Sequence, residues 1–430
     1  VAAQRPGEGG IRERLGHFFA PVLYTPDMPT PNLIEGNAVV GQGGGPTAVI
    51  NQSLVGVVET LRDHMRIPNI LGMRHGVKGM VNGDLLNFNT VDPYTLEEVS
   101  RAPSAALGST RDKPDTAYCE RIFDTCKRHD IRYFFYIGGN DSSDTCRIVN
   151  KIADSSGYEL RCFHVPKTID NDLLENDHTP GFPSAARFVA WSFAADDRDN
   201  AALPGIKINV IMGRHAGFLT AASAMARSRD DGSDGPHLIY VPERKFDLDR
   251  FAEDVDRVFT KHGRCLIAVS EGIQNEDGVA IAAVMSERER DAHGNVQLSG
   301  SGALGDMLSD FLKKKLKTPG GKPPRVRADT FGYTQRCWAD PSPVDSFEAR
   351  QVGRAAARLA MTGNVDGSIA IKRTGDNPYR AEFVRVDLDR IAGKTRHMPE
   401  EFLKGHNDVS QEFIDYLRPL LGPIPSFARL

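Results

Sequence analysis

Several signals are missing from this sequence of 430 residues, and each absence excludes something. No apolar run approaches the length of a membrane-spanning helix, so the expected partners include no membrane. Neither charge sign dominates: 53 Lys and Arg face 57 Asp and Glu, for a net charge of −4, which gives no electrostatic case for nucleic acid. The six cysteines (Cys119, Cys126, Cys146, Cys162, Cys265, Cys337) form no CxxC pair, which argues against a zinc site or a disulfide scaffold. Buried reduced thiols are expected, and with them a cytoplasmic location. There is no repeat of solenoid period, no GxGxxG followed by an acid as in a dinucleotide-binding dehydrogenase, and no GxxxxGK[ST] loop. The first stretch, residues 1–36, has Arg5, Arg12 and Arg14 and several prolines but no apolar core of signal-peptide type, and is expected to be an irregular arm.

What is present is an alternation. Short apolar runs at Asn37–Val40, Tyr133–Ile137, Cys162–Val165, Ile206–Ile211, His237–Val241, Cys265–Ser270 and Ser368–Lys372 are separated by longer helical patterns. Near-continuous apolarity marks strands covered on both faces. The chain exceeds what one core usually serves. A doubly wound α/β protein with mainly parallel sheets follows, and ligands of such folds bind at the carboxyl ends of the strands. One helix is clear: Ala48–Arg62 places Ile50, Leu54, Val57, Val58 and Leu61 on one face, and its N-terminus, opening on Gly43-Gly44-Gly45, offers free N–H groups to an anion. The polar segment Gln274–Gly302 reads as a surface excursion, and Lys313-Lys314-Lys315 as a solvated helix end.

Chemistry-bearing residues follow these strands. The triple glycine is either a phosphate cradle or a tight turn. Thr168-Ile169-Asp170-Asn171-Asp172 puts two carboxylates two residues apart, which point the same way if the chain stays extended. One could take a proton from a hydroxyl while the other holds a metal; a turn with solvated acids is the plainer alternative. Met212-Gly213-Arg214 adds a cation among glycines, Glu271-Gly272 an acid for sugar hydroxyls, and Arg327 with Gly332-Tyr333-Thr334-Gln335-Arg336 two guanidiniums and a phenol. Anion-binding groups around paired carboxylates suit phosphoryl transfer to a phosphorylated sugar.

In order, the Gly-rich loop, LGSTR (Leu107–Arg111), GGND (Gly138–Asp141), PKTIDND (Pro166–Asp172), MGRHAG (Met212–Gly217), EG and GYTQR resemble the phosphofructokinases from about Asn37 to about Gly363, and within them the branch that uses diphosphate in place of ATP. The resemblance implies two interleaved Rossmann-like domains with the active site in the cleft between them. A phosphoryl-donor domain would span 37–181, completed by about 335–385, and a sugar-phosphate domain 182–334, completed by about 386–430. It implies Asp170 as the base on the 1-hydroxyl of fructose 6-phosphate, and Thr168, Ile169, Asp172, Met212, Gly213, Arg214 and Glu271 around the sugar. Arg327 and Arg336 would clamp the 6-phosphate, Arg327 in a neighbouring subunit's site, beside Tyr333, Thr334 and Gln335. Gly44, Gly45, Gly139 and Lys167 would cradle diphosphate and Arg111 would bridge the transferring group.

The same resemblance makes Asp141 the residue that refuses the α-phosphate of ATP. It implies Mg²⁺ at Asn140 with Asp141, or with Asp172, because Asn140 stands where a carboxylate is usual. A homodimer or homotetramer is expected. Lys207 is expected to replace an arginine missing at Gly205. Val55 and Glu59 stand where bacterial ATP enzymes carry effector-binding arginines, so no such control is expected. Two other members of the resemblance remain open, an ATP-dependent enzyme and a non-catalytic regulatory subunit.

Overall fold

The computed structural model describes residues 33–62, 64–229, 231–285, 303–318, 320–363, 365–424 and 427–428. The expected N-terminal arm, apart from residues 33–36, and the end of the polar excursion, residues 286–302, lie outside them. Strands β1 (Asn37–Gln42), β2 (Ile70–Met73), β3 (Leu85–Asn87), β4 (Ile131–Gly138), β5 (Arg161–Pro166), β10 (Gly367–Asp376) and β11 (Tyr379–Val386) form a seven-stranded sheet in the order β11-β10-β5-β4-β1-β2-β3. Its five inner strands are parallel and its edges, β3 and β11, antiparallel. Strands β6 (Ile206–Ile211), β7 (Leu238–Tyr240), β8 (Cys265–Ser270) and β9 (Val326–Thr330) form a wholly parallel second sheet, β7-β8-β6-β9. The expected α/β class with mainly parallel sheets is what the chain adopts. The seven expected strands are present; β2, β3, β9 and β11 are additional, as is the short antiparallel pair Leu403–Lys404 with Asp408–Val409.

Alternation within each strand explains the layers. In the larger sheet Val40, Phe135, Ile137 and Val165 face helices α1 (Ile50–Leu61) and α4 (Pro343–Thr362). Val39, Phe134, Tyr136 and Cys162 face the other way, toward the helix Thr116–Arg128 and α2 (Asn140–Ser155). Both faces are covered, so every second residue is apolar on each side and the runs read as continuous. In the smaller sheet Leu266 and Ala268 pack toward α3 (Phe182–Ala202) and α5 (Gln411–Leu421), and Ile267 and Val269 toward the helices Leu248–His262 and Ala303–Lys315. The lysine run closes that last helix, where Lys313 pairs with Asp310 and Lys315 with Asp249. Five of the six cysteines are buried thiols. Among the described residues no helix is long and apolar enough to cross a membrane.

The chain crosses between the sheets three times: after β5, after β9 and after β11. The second crossing brings α4 onto α1. A Cβ on Gly56 would collide with the Arg350 carbonyl and one on Gly353 with the Ser53 carbonyl, so these helices meet backbone to backbone. Ser53 Oγ donates to the Ala349 carbonyl at 2.9 Å. Glu59 binds Arg350 at 2.7 Å and Arg354 at 2.6 Å, so this carboxylate serves the helix contact.

The start of α4 also organises the turn that follows β5. Helix α3 begins at Gly181, which has no capping side chain. Asp345 caps it from outside, accepting from Gly181 N at 2.9 Å and Ser184 N at 3.1 Å. His178 is fully buried and donates from Nδ1 to Asp177 Oδ2 (2.8 Å) and from Nε2 to Glu348 Oε2 (2.5 Å). Burial alone would depress this imidazole, but Glu348 and then Asp177 raise it to about 9. Its folded value lies above the unfolded value near 6.5, so its stabilisation is complete below about pH 6.5 and is lost as pH rises through about 9. We expect up to about 3 kcal/mol of stability to vanish across that window. Chemical denaturation at pH 6, 8 and 9.5 measures it, and His178→Gln should flatten the dependence.

Candidate active site

The carboxyl ends of both sheets border one cleft of about 390 Å³. From the larger sheet come Gly44 and Gly45 after β1, Gly139, Asn140 and Asp141 after β4, and Lys167, Thr168, Ile169, Asp170 and Asp172 after β5. Arg111 reaches the cleft from the LGSTR loop. The smaller sheet contributes Met212 and Arg214 after β6, Glu271 after β8 and Arg336 beyond β9.

The glycine loop after β1 is held from behind. Gly44, at φ +74°, donates its N–H to the Thr110 carbonyl at 2.8 Å, and its own carbonyl accepts from Ser109 Oγ at 2.6 Å. The Gly44 amide is therefore already used, and what this residue gives the cleft is room. A side chain at Gly45 would strike the Arg336 guanidinium. The expectation that α1 aims its N-terminus at the ligand does not hold. The loop runs on through Pro46 and Val49, and no residue of α1 borders the cleft. The helix end that does is that of α2, capped by Gly139 directly after β4, with Asn140, Asp141, Ser142 and Thr145 on the cleft wall.

The turn after β5 carries the charges. Lys167 is buried, with Nζ donating to the Gly45 carbonyl at 2.6 Å. Burial, then the Arg336 charge, bring its ammonium down to about 8. Burial raises Asp170 above the usual carboxylate range, against the pull of Lys167 and Arg214. Burial and then the Asp170 charge push Asp172 up to about 7. Both carboxylates border the cleft, but not through an extended chain. Asn171 between them is left-handed at φ +59°, and its side chain is fixed by Tyr416 Oη (2.9 Å) and Thr179 N (3.1 Å).

On the side of the smaller sheet Arg214 Nε lies 3.6 Å from Glu271 Oε1, and burial raises the Glu271 carboxyl. Gly213, at φ +130°, lets the chain turn over β6 and gives its carbonyl to Ser270 Oγ at 2.6 Å. Arg336 stacks on Tyr333 with 4.4 Å to the ring centre. Tyr333 and Gln335 border an adjoining hollow with Met212 and Glu271. Gln335 is buried, bonding the Gly332 carbonyl at 2.8 Å and receiving Met212 N at 3.4 Å, so it braces the turn. Thr334 is exposed and does not border the cleft. Arg327 lies apart on β9, with Gly205, Lys207 and Arg325. Lys207 is not available as a substitute cation: Asp196 at 2.7 Å and Asp329 at 3.1 Å hold it.

Asp141 sits at the rim, with Oδ2 3.3 Å from Lys113 Nζ. Among the described residues no three His, Cys, Asp or Glu side chains are grouped to enclose a metal ion. A hard cation would instead meet Asn140 Oδ1, buried and without a hydrogen-bond partner, whose Nδ2 donates to Asp172 Oδ2 at 3.2 Å. An unpartnered amide oxygen and a neighbouring carboxylate are hard donors of the kind Mg²⁺ takes, with much of its shell kept as water and substrate oxygens. Sequence reasoning did not single out His215, Lys113, Asp112, Thr110 and Tyr136, which also border the cleft. His215 stands inside a quoted motif and Lys113 two residues after Arg111. Tyr136 reads as core because it lies inside the apolar run of β4 and is buried.

Residues 37–360 match the family described as Phosphofructokinase. The chain is 55% identical over 394 residues to the pyrophosphate–fructose 6-phosphate 1-phosphotransferase of Rhodospirillum rubrum, covering 91% of this chain and 95% of that protein. It is 37% identical over 396 residues to the enzyme of the same name from Methylococcus capsulatus, covering 90% and 91%. The crystal structure of a pyrophosphate-dependent phosphofructokinase from Marinobacter aquaeolei superposes with a TM-score of 0.78 at 31% identity, over 91% of this chain and 94% of that one. A family match over three quarters of the sequence, on a fold shared with solved members, places the chain in the phosphofructokinase family.

Proposed function

We propose that this chain transfers a phosphoryl group from diphosphate to the 1-hydroxyl of fructose 6-phosphate, giving fructose 1,6-bisphosphate and phosphate. The observation that carries this is the donor end of the cleft, where a buried Lys167 ammonium and the Asp141 carboxylate border one cavity. A compact cation suits a small, highly charged donor. A carboxylate on the rim opposes a longer polyphosphate. Unit charges 4 Å apart repel by about 4 kcal/mol at an effective dielectric near 20. Asp141 is 58% exposed and paired with Lys113, which reduces its share to about 1 kcal/mol.

The mechanism assigns Asp170 as the base, since burial raises its carboxyl and so makes it a stronger proton acceptor. Lys167, Arg111 and the α2 N-terminus receive the phosphoryl oxygens, and Arg214, Glu271 and Met212 hold the sugar. Asn140 and Asp172 would hold Mg²⁺, which when bound would supply positive charge to offset that of the donor phosphates. The donor unit comprises 37–181 with about 335–385, and the sugar unit 182–334 with about 386–430. Arg336 clamps the 6-phosphate within one copy. Arg327, exposed and away from the cleft, suits a site completed by a second copy, hence a homodimer or homotetramer. Exchanging a phosphoanhydride for a phosphoester with phosphate as leaving group leaves a nearly reversible step in a cytoplasmic sugar-phosphate pathway.

Three outcomes are expected. Asp170→Ser lowers kcat roughly 10²–10⁴-fold while calorimetry still detects fructose 6-phosphate binding; near-normal turnover refutes the base. The pH profile of kcat/KM is bell-shaped. Activity rises as Asp170, raised above the usual carboxylate range, loses its proton and falls as Lys167 loses its own near pH 8. Lys167→Arg, which does not titrate, removes the alkaline limb. Asp141→Gly improves ATP use by roughly fivefold, and Asp141→Gly with Lys167→Gly abolishes the preference for diphosphate. Initial rates with each donor check this, and an unchanged donor ratio counts against the assignment.

A further inference from the structure

The turn that bears Asp170 is not held by its own sheet alone. Residues 168–178 have two non-glycine residues in left-handed backbone, Asn171 at φ +59° and Glu175 at φ +65°. Such a turn persists where its surroundings over-determine it. Those surroundings come from the far end of the chain. Thr395 forms an antiparallel bridge with Leu173. Arg396 N donates to the Asp172 carbonyl at 2.7 Å, and its Nη1 donates to the Asn176 and Asp177 carbonyls, both at 2.6 Å.

The same short stretch also holds the sugar loop. The Arg396 guanidinium stacks on Phe218, the residue after MGRHAG, with 4.9 Å to the ring centre. His397 donates from Nδ1 to the His215 carbonyl at 2.9 Å. Met398 N donates to Glu243 Oε1 at 3.0 Å, and that oxygen also receives Gly217 N at 2.9 Å. These four consecutive residues therefore bond the loop bearing the base on one side and, directly through Arg396 and His397 and by way of Glu243 through Met398, the loop bearing Arg214 on the other.

We propose that Thr395–Met398 is a strap that sets the base loop against the sugar loop, with Arg396 positioning Asp170 and Asp172 and His397 positioning the Arg214–His215 turn. Neither side chain touches a reacting atom. Each acts through the backbone of a loop that does. Displacing a base by a fraction of an ångström slows the chemical step more than it weakens binding. The two positions should thus separate in kinetics, and this separation rests on the diphosphate reading above.

The test compares the full-length protein with Arg396→Ala, Arg396→Lys and His397→Ala. In Arg396→Ala, kcat should fall roughly ten- to a hundredfold with KM for both substrates within about twofold. Amide exchange over residues 168–178 should quicken. Arg396→Lys, whose single ammonium can meet both carbonyls, should recover most of the rate. His397→Ala should raise KM for fructose 6-phosphate several-fold and leave kcat within about twofold. The strap is overturned if Arg396→Ala keeps wild-type rate and exchange. It is also overturned if the Ala and Lys variants lose activity only in step with melting temperature, or if His397→Ala leaves KM unchanged. Should Arg396→Ala fail to fold, the other two variants decide. A wild-type protein inactive on diphosphate and fructose 6-phosphate counts against the proposed function alone, because exchange over residues 168–178 reads the strap without turnover.

Discussion

Everything near the cleft depends on keeping opposite charges together where water is scarce. Lys167 is buried at the end of β5, and Asp170 and Asp172 follow within five residues. Alone, each would shed its charge. Together, Lys167 pulls both carboxylates back toward their charged forms and they pull its ammonium back in turn, leaving Lys167 at about 8, Asp172 at about 7 and Asp170 raised. The arrangement survives only in a fixed geometry, since separating the charges restores the full cost of burying each. The left-handed Asn171, the His178 imidazolium between two carboxylates and the Asp345 cap on α3 all serve to fix that turn.

Much of this was legible in the sequence, and what was not has identifiable causes. Runs such as Ile206–Ile211 and Cys265–Ser270 announced themselves because both faces of those strands are covered. Strands β9 and β11 escaped notice because they present exposed polar residues alternately: Arg327 and Asp329 on β9, Arg380 and Glu382 on β11. The glycines after β1 and β4 do border the cleft, but which helix end borders it depends on loop length. Gly139 caps α2 at once, whereas the loop after β1 carries α1 away before it starts. Asp170 and Asp172 do border one cleft, but across a left-handed Asn171 rather than an extended chain. Lys207 looked available because no periodicity reveals that Asp196, on a neighbouring helix, and Asp329, on a neighbouring strand, will hold it.

The C-terminal contribution was the least legible. Arg396 and His397 belong to no motif, and their partners lie some 180–220 residues earlier. Contacts of that span leave no local signature. They become visible only when both ends of the chain have been placed, and here they join the two loops on which the proposed chemistry depends.

The backbone-to-backbone contact of α1 with α4 bears on how the chain comes off the ribosome. The face of α1 around Ser53 and Gly56 is shaped for a helix that begins at Pro343, about 290 residues later. At roughly 5–20 residues per second, some 15–60 s of synthesis separate the two. For that interval an apolar surface meant for close helix contact has no native partner, while much of the larger sheet it flanks is already made. The interleaving that gives one cleft two walls therefore lengthens the time during which the nascent chain is open to association with the wrong surface.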